Sequence, residues 1–334
     1  MTAPFIIAEV GMAHDGSLGT AHAYIDALAG MGVDAVKFQV HIAEAESSTL
    51  EPFRVEFSYQ DENRMDYWNR TAFTAAQWKT LKLHCEMQNM EFIATPFSKA
   101  AVDLLISLGV NKFKISSGDA NNLLLIKHIS DTQKEIILSS GMSTLQELDE
   151  SMALLSGQNT KVSLLQCTTA YPTLPEQWGV NVIDLYKNRY GIPVGFSDHS
   201  GDVFACLAAT ALGADILEFH IVFDKRIFGP DTSSSIPVAQ VPSLVNGIKQ
   251  IFRARQNPVV KDDTVRCEGM KKIFEKSLAI NKPLVRGQQI TFEDLEGKKP
   301  ADLGIPARDY EKVVGKKLVR NMKQWEFLHD DDLL

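Results

Sequence analysis

The chain has 334 residues, 45% of them hydrophobic and 23% charged, with a formal net charge of −8 and a pI near 5.5. That length covers a full core and a second small domain, and an acidic chain without a basic run has no electrostatic footprint for nucleic acid or an anionic membrane. The apolar runs fall short of the roughly 20 residues of a transmembrane helix, the N-terminus lacks a signal-peptide pattern, and Cys85, Cys167, Cys206 and Cys267 form no C-x-x-C pair, as expected of reduced thiols in a cytoplasmic protein.

Strand-like apolar runs follow one another at 5–11 (FIIAEVG), 35–40 (AVKFQV), 91–97 (EFIATPF), 112–117 (KFKISS), 135–141 (EIILSSG), 162–167 (VSLLQC), 193–199 (PVGFSDH) and 216–222 (ILEFHIV). Stretches of helical period separate most of them, among them AHAYIDALAGMG, AAQWKTLKLHCEM, LQELDESMALLSG and VFACLAATALG. Near-continuous apolar strands alternating with amphipathic helices predict a parallel sheet buried on both faces. Eight such units fit a closed (β/α)₈ TIM barrel better than an open doubly wound sheet, and no G-x-G-x-x-G follows the first strand. The segment 41–74 is too long for a simple connection and reads as a lid, a substrate wall or a surface decoration.

After about residue 255 the rhythm stops. Residues 256–272 read as a polar linker, and 273–334 as a small β-rich domain of short pieces between Gly and Pro turns. Within it LVRGQQITFEDLE and LVRNMKQWEFLHDDDL look like two copies of one unit.

In a barrel of this kind chemistry gathers at the C-terminal ends of the strands. Those ends supply Glu9, Lys37, Gln39, Thr95, Lys114, Ser117, Ser139, Thr168, Ser197, His199 and His220. Each hydroxyl alone is an ordinary helix-capping residue; the set together suits a phosphorylated, carboxylated substrate and a divalent cation. Two histidines make a weak, open metal site that substrate oxygens would complete, with Asp198, Glu218 or Asp231 nearby to orient the rings. Two lysines at the ends of buried strands require anionic partners. A Schiff-base lysine is the competing use, and His14 either lines the mouth or serves a loop.

The motifs EVGMAHDGS, VKFQVHIAE, FIATPFS, KISSGD, ILSSGM, LLQCTTAYPT, GFSDHS and ILEFHIVFDKRIFGPD, in this order, closely resemble the sialic acid synthase family, and the tail resembles its SAF (antifreeze-like) domain. The resemblance implies condensation of phosphoenolpyruvate with the open-chain form of an N-acetylmannosamine-like sugar. The product would be a nine-carbon 2-keto-3-deoxy acid plus phosphate. It implies Mn²⁺ or Mg²⁺ on His199 and His220, and phosphoenolpyruvate held by Lys37, Thr95, Lys114, Ser117, Ser139 and Ser197. Glu9 would act near C2 of that substrate, while Gln39, Asp119, Tyr171 and Asp231 would lie at the sugar. It also implies a domain-swapped homodimer, in which Lys299 stands where the family has Arg. Ala13, Asp119 and Thr169 replace the family's Asn, Glu and Asn, departures that gather on the sugar side. They make a 2,4-diacetamido-trideoxyhexose, the acceptor for legionaminic or pseudaminic acid, the alternative to N-acetylmannosamine. A metal-dependent sugar aldolase and a non-catalytic carbohydrate-binding protein are the remoter readings.

Overall fold

The structure, a computed structural model, describes residues 2–157 and 160–334. Its strands are β1 (Phe5–Gly11), β2 (Ala35–Val40), β3 (Glu91–Pro96), β4 (Lys112–Ile115), β5 (Glu135–Ser139), β6 (Val162–Cys167), β7 (Val194–Asp198) and β8 (Ile216–Val222). Each pairs in parallel with the next, and β1 pairs with β8, which closes the barrel. The helices between them start where side chains satisfy the free backbone N–H groups: Ser17, Ser98 and Asn122 cap the first turn, and Thr74 and Thr144 form capping boxes with Gln77 and Glu147. Among the described residues no helix is long and apolar enough to cross a membrane.

The strand period of two decides where the chemistry lies. In β2, Val36, Phe38 and Val40 face the helices as part of the large core, which leaves Ala35, Lys37 and Gln39 on the barrel interior. Ile7, Ala35, Ile93, Ile137, Leu165 and Ile216 form an apolar inner layer. Two residues further along the same strands stand Glu9, Lys37, Thr95, Ser139, Cys167 and Glu218, so the interior changes from apolar to polar within one layer. At Gly195 an added Cβ would lie 2.2 Å from the Ile216 carbonyl oxygen, so β7 and β8 approach at a distance only glycine allows.

Four strands end earlier than the sequence runs suggest. β3 stops at Pro96, β4 at Ile115, β5 at Ser139 and β7 at Asp198. The chain then turns outward, so Ser117 sits in a short 3₁₀ turn, Ser117–Asp119, and His199 one residue beyond its strand. The 41–74 segment carries two short helices, Ala43–Glu46 and Arg64–Thr71.

The chain divides into Met1–Asn257 and Pro258–Leu334. The stretch expected to be a linker contains a 3₁₀ turn, Val265–Cys267, and runs into a helix, Glu268–Phe274; its EGMKKIF sequence has no helix breaker after the first turn. In the second unit Ser277–Ile280 pairs antiparallel with Leu295–Lys298. Leu278, Ile280, Leu284, Ile290, Leu318, Met322 and Leu328 make its core. The internal repeat has a different register from the one read in sequence. Ile280, Leu284 and Ile290 correspond to Leu318, Met322 and Leu328, all buried, and Leu284 bridges Met322. Thr291 with Asp294 and His329 with Asp332 form matching turns, and Gly287 and Trp325 both adopt positive φ (82° and 67°). The shared LVR letters misled because the backbone repeats turn geometry and burial, not letters.

Candidate active site

A cavity of about 540 Å³ opens at the C-terminal ends of the strands. Of the sequence-derived candidates, Glu9, Lys37, Gln39, Thr95, Lys114, Ser117, Asp119, Ser139, Tyr171, Ser197, His199, His220 and Asp231 all line it. Lys299 belongs to the second unit, where its Nζ lies 4.8 Å from the centre of the Phe274 ring. Thr168 does not line the cavity: its hydroxyl donates to the Gln177 carbonyl, and the neighbouring Thr169 faces inward.

The floor is ionic. Lys37 Nζ lies 2.9 Å from Glu9 Oε1 and 3.5 Å from Glu218 Oε1, and donates to Thr95 Oγ1 at 3.1 Å. Lys114 Nζ is 3.8 Å from Glu218 Oε1, and its hydrogen-bond acceptor is the Ile115 carbonyl oxygen. The two lysines therefore differ. Burial opposes the charge on each, but Glu218 and Glu9 together overcome it at Lys37 and hold that pKa above the ordinary lysine value. At Lys114 burial prevails over a more distant Glu218, Lys37 adds repulsion, and the pKa falls below the ordinary value. Glu218, expected beside the histidines, instead stands between the lysines and accepts from Ser197 Oγ at 3.2 Å. Burial would raise its pKa, but Lys114 and Lys37 bring it below the usual carboxylate value.

Among the described residues, several buried polar atoms here have no hydrogen-bond partner: Glu9 Oε2, Glu218 Oε2, Ser139 Oγ and Thr169 Oγ1. Such atoms cost free energy unless a ligand or water meets them. The two hydroxyls line the same cavity as Lys114 and Ser117, and Ser117 Oγ accepts from the Gly141 N–H at 3.0 Å.

His199 and His220 stand side by side, ring centres 5.3 Å apart. His199 Nδ1 is 2.9 Å from the Thr168 carbonyl oxygen and 3.8 Å from Cys167 Sγ. The shorter carbonyl contact holds a proton on Nδ1, so Nε2 is the nitrogen that is freed when the ring is neutral. Burial works against a charged His199 ring, yet Cys167 and that carbonyl hold its pKa up at about 9. Burial pushes His220 below the ordinary value. Among the described residues no three or more His, Cys, Asp or Glu side chains converge as a metal site. The donor set is two imidazoles, which fit a cation that substrate oxygens help to hold. Asp198 turns away from both rings and caps Ser200, accepting from its N–H at 2.8 Å. His14 is buried against Phe73 and does not line the cavity; burial pushes its pKa down to about 3.

Of the three readings of the 41–74 segment the structure selects the wall, with residues the sequence did not single out. His41, Glu46, Glu51, Arg54, Arg64 and Trp68 of the 41–74 segment line the cavity, which makes that segment a wall of the site. The Arg54 guanidinium bonds Asp231 Oδ1 at 2.6 Å and the Pro230 carbonyl at 2.7 Å, and lies 3.9 Å from the centre of the Tyr171 ring. Tyr171 in turn stacks on His199 at 4.2 Å. On the opposite side Asp119 accepts from Ser116 Oγ at 2.8 Å, and burial raises its pKa above the ordinary value.

The model of the NeuB family matches residues 24–259. The chain belongs to the NeuB family. It is similar to the N,N'-diacetyllegionaminic acid synthase of Campylobacter jejuni, 34% identical over 99% of this chain and 100% of that protein. It is also similar to the N-acetylneuraminate-9-phosphate synthase of Homo sapiens, 30% identical over 96% of this chain and 90% of that one. Among solved structures, the N-acetylneuraminic acid synthetase of Leptospira borgpetersenii superposes with a TM-score of 0.71 at 27% identity, covering 81% of this chain and 91% of that chain.

Proposed function

We propose that this NeuB-family chain condenses phosphoenolpyruvate with an N-acylated amino-sugar aldehyde, giving a 2-keto-3-deoxy sugar acid and inorganic phosphate. The observation that carries this reading is the buried Lys114, 3.8 Å from its nearest carboxylate oxygen, in a cavity also lined by the unpartnered hydroxyls of Ser139 and Thr169. A phosphate or carboxylate answers both needs at once. In this reading Lys37, Thr95, Lys114, Ser117, Ser139 and Ser197 hold phosphoenolpyruvate. His199 and His220 would hold the cation, Mn²⁺ or Mg²⁺. Bound there, it supplies Lewis-acid polarisation of the aldehyde.

C3 of phosphoenolpyruvate attacks the aldehyde carbon, and positive charge develops at C2. Glu9, with Oε1 held by Lys37 and Gln39 and Oε2 free, takes a proton from the water that adds there. The tetrahedral intermediate collapses with C–O cleavage and phosphate leaves. Lys114 neutralises the departing charge. The wall formed by the 41–74 segment shields the developing cation from bulk water.

For the acceptor, Gln39, Asp119, Tyr171 and Asp231 are the candidate contacts, and both N-acetylmannosamine and a 2,4-diacetamido-trideoxyhexose fit this class. The likeness to a legionaminic acid synthase over the whole chain supports the second. We read the Pro258–Leu334 unit as SAF-type, with Lys299 reaching the sugar of a partner subunit in a homodimer. The exposed Val259, Val260, Val265, Met270, Ile273 and Phe274 support a partner there.

The test is inorganic phosphate release from phosphoenolpyruvate with Mn²⁺ and a panel of aldoses from mannose to 2,4-diacetamido-trideoxyhexoses, with EDTA controls. Release that depends on the aldose and stops with chelator is the expected result. Borohydride trapping of a pyruvate–Lys114 adduct, without phosphate release, would replace it with the Schiff-base aldolase reading.

A further inference from the structure

The His41 ring is sandwiched between two aromatic faces, Trp68 at 3.6 Å and Phe97 at 4.3 Å between ring centres, with interplanar angles of 13° and 12°. Both of its nitrogens are engaged in the ring plane. Nδ1 lies 2.5 Å from Glu46 Oε1, and Nε2 lies 3.3 Å from Gln39 Oε1. Gln39 spends its other end on Glu9, donating from Nε2 to Oε1 at 3.0 Å.

With both carboxylates ionised, these contacts place the protons. A carboxylate only accepts, so Glu9 orients the Gln39 amide with its NH₂ inward and its oxygen toward His41. That oxygen accepts as well, so His41 Nε2 donates to it. The Glu46 carboxylate also accepts, so Nδ1 carries a proton too. An imidazole with donors at both nitrogens is an imidazolium, and two aromatic faces against the ring favour a cation. The pair is deeply buried, side chains 5% and 8% exposed, so each charge requires the other. The other titratable groups acting on His41 are Asp119 beyond β4 and His14 beyond β1, with Arg64 over the same Trp68 ring at 4.6 Å.

We propose that His41, held as an imidazolium by Glu46 between Trp68 and Phe97, is a positioning residue that locks the Gln39 amide onto Glu9. It reaches the reaction only through Gln39. Without its Nε2–H a bare ring nitrogen faces the amide oxygen, and the Gln39 donor to Glu9 Oε1 is held from the Glu9 side alone. The kinetic consequence rests on the phosphoenolpyruvate-condensing reading; the charge state and the amide orientation do not.

The experiment uses the full chain, labelled with ¹⁵N at histidine and glutamine, and its Glu46→Gln variant, which keeps the shape of the side chain. At pH 7 the wild-type His41 ring should show protons on both nitrogens. In Glu46→Gln it should show one, and the Gln39 side-chain NH₂ resonance should move. With substrates, kcat should fall about tenfold, while the KM for phosphoenolpyruvate stays within twofold. A singly protonated wild-type ring, as a protonated Glu46 would give, overturns the proposal. So does a Gln39 resonance that ignores the loss of charge. The expected resonances in a protein that never releases phosphate would uphold the positioning and instead refute the condensing reaction.

Discussion

Lys37 and Lys114 share a residue type and a depth, yet their surroundings shift their pKa values in opposite directions, because burial lowers both while Glu218 lies nearer to Lys37 and Glu9 pairs with Lys37 alone. Glu218 is the one carboxylate within 4 Å of both among the described residues. Glu218→Gln should therefore reduce phosphate release about 100-fold and lower stability by about 2 kcal/mol, since breaking a buried pair strands its partner. Full activity in that variant, with an unchanged urea midpoint, would remove Glu218 from the site. Arg54 acts on the sugar side, through Asp231 and Tyr171. Arg54→Ala should raise the KM for the aldehyde about tenfold, the equivalent of ~1.4 kcal/mol, and leave that for phosphoenolpyruvate within twofold. An equal rise in both constants would show that Arg54 supports the whole pocket. The strand-end residues were legible because each sits at a fixed period on a recognisable run. Arg54, Arg64 and His41 were not, because no periodicity in 41–74 says which side chain turns inward.

The elements are held by local chemistry that sequence shows well, caps above all, and by ion pairs that it does not. Arg70 clasps Asp61 with two hydrogen bonds of 2.8 Å and reaches Asp15 at 2.9 Å, which ties the Arg64–Thr71 helix to the loop after β1. Arg70 depresses the Asp61 pKa below its ordinary 3.8. A depressed carboxylate stabilises above its unfolded pKa, and the contribution disappears as pH falls through the folded value. Asp61→Asn should thus cost about 1 kcal/mol at pH 7 and nothing once wild type has also been protonated. Melting temperatures across pH 2–7 read this; a gap that persists at the acid end would mean the amide disturbs packing instead of charge. In the second unit the repeat register was illegible for a different reason. Trp325 occupies the left-handed position that Gly287 fills in the first copy, and nothing about a tryptophan signals positive φ.

At the scale of the whole molecule, the proposed homodimer would cover the exposed apolar residues of 259–274. Light scattering should give twice the 37.1 kDa of one chain, and Ile273→Asp with Phe274→Asp should return the monomer with aldehyde turnover impaired. A stable wild-type monomer of full activity would refute the subunit-sharing reading of Lys299.

The sequence by itself determined the barrel, all eight strands to within a few residues and the inner polar layer, because burial on both faces and a period of two leave strong local patterns. Tertiary structure alone decided which carboxylate holds which lysine, that the 41–74 segment is a wall of the site, and that Asp198 and Thr168 turn away from it. Those outcomes depend on distances across the barrel between residues as far apart in the chain as Lys37 and Glu218. No pattern of neighbours along a chain encodes such a meeting; only closing the sheet brings it about.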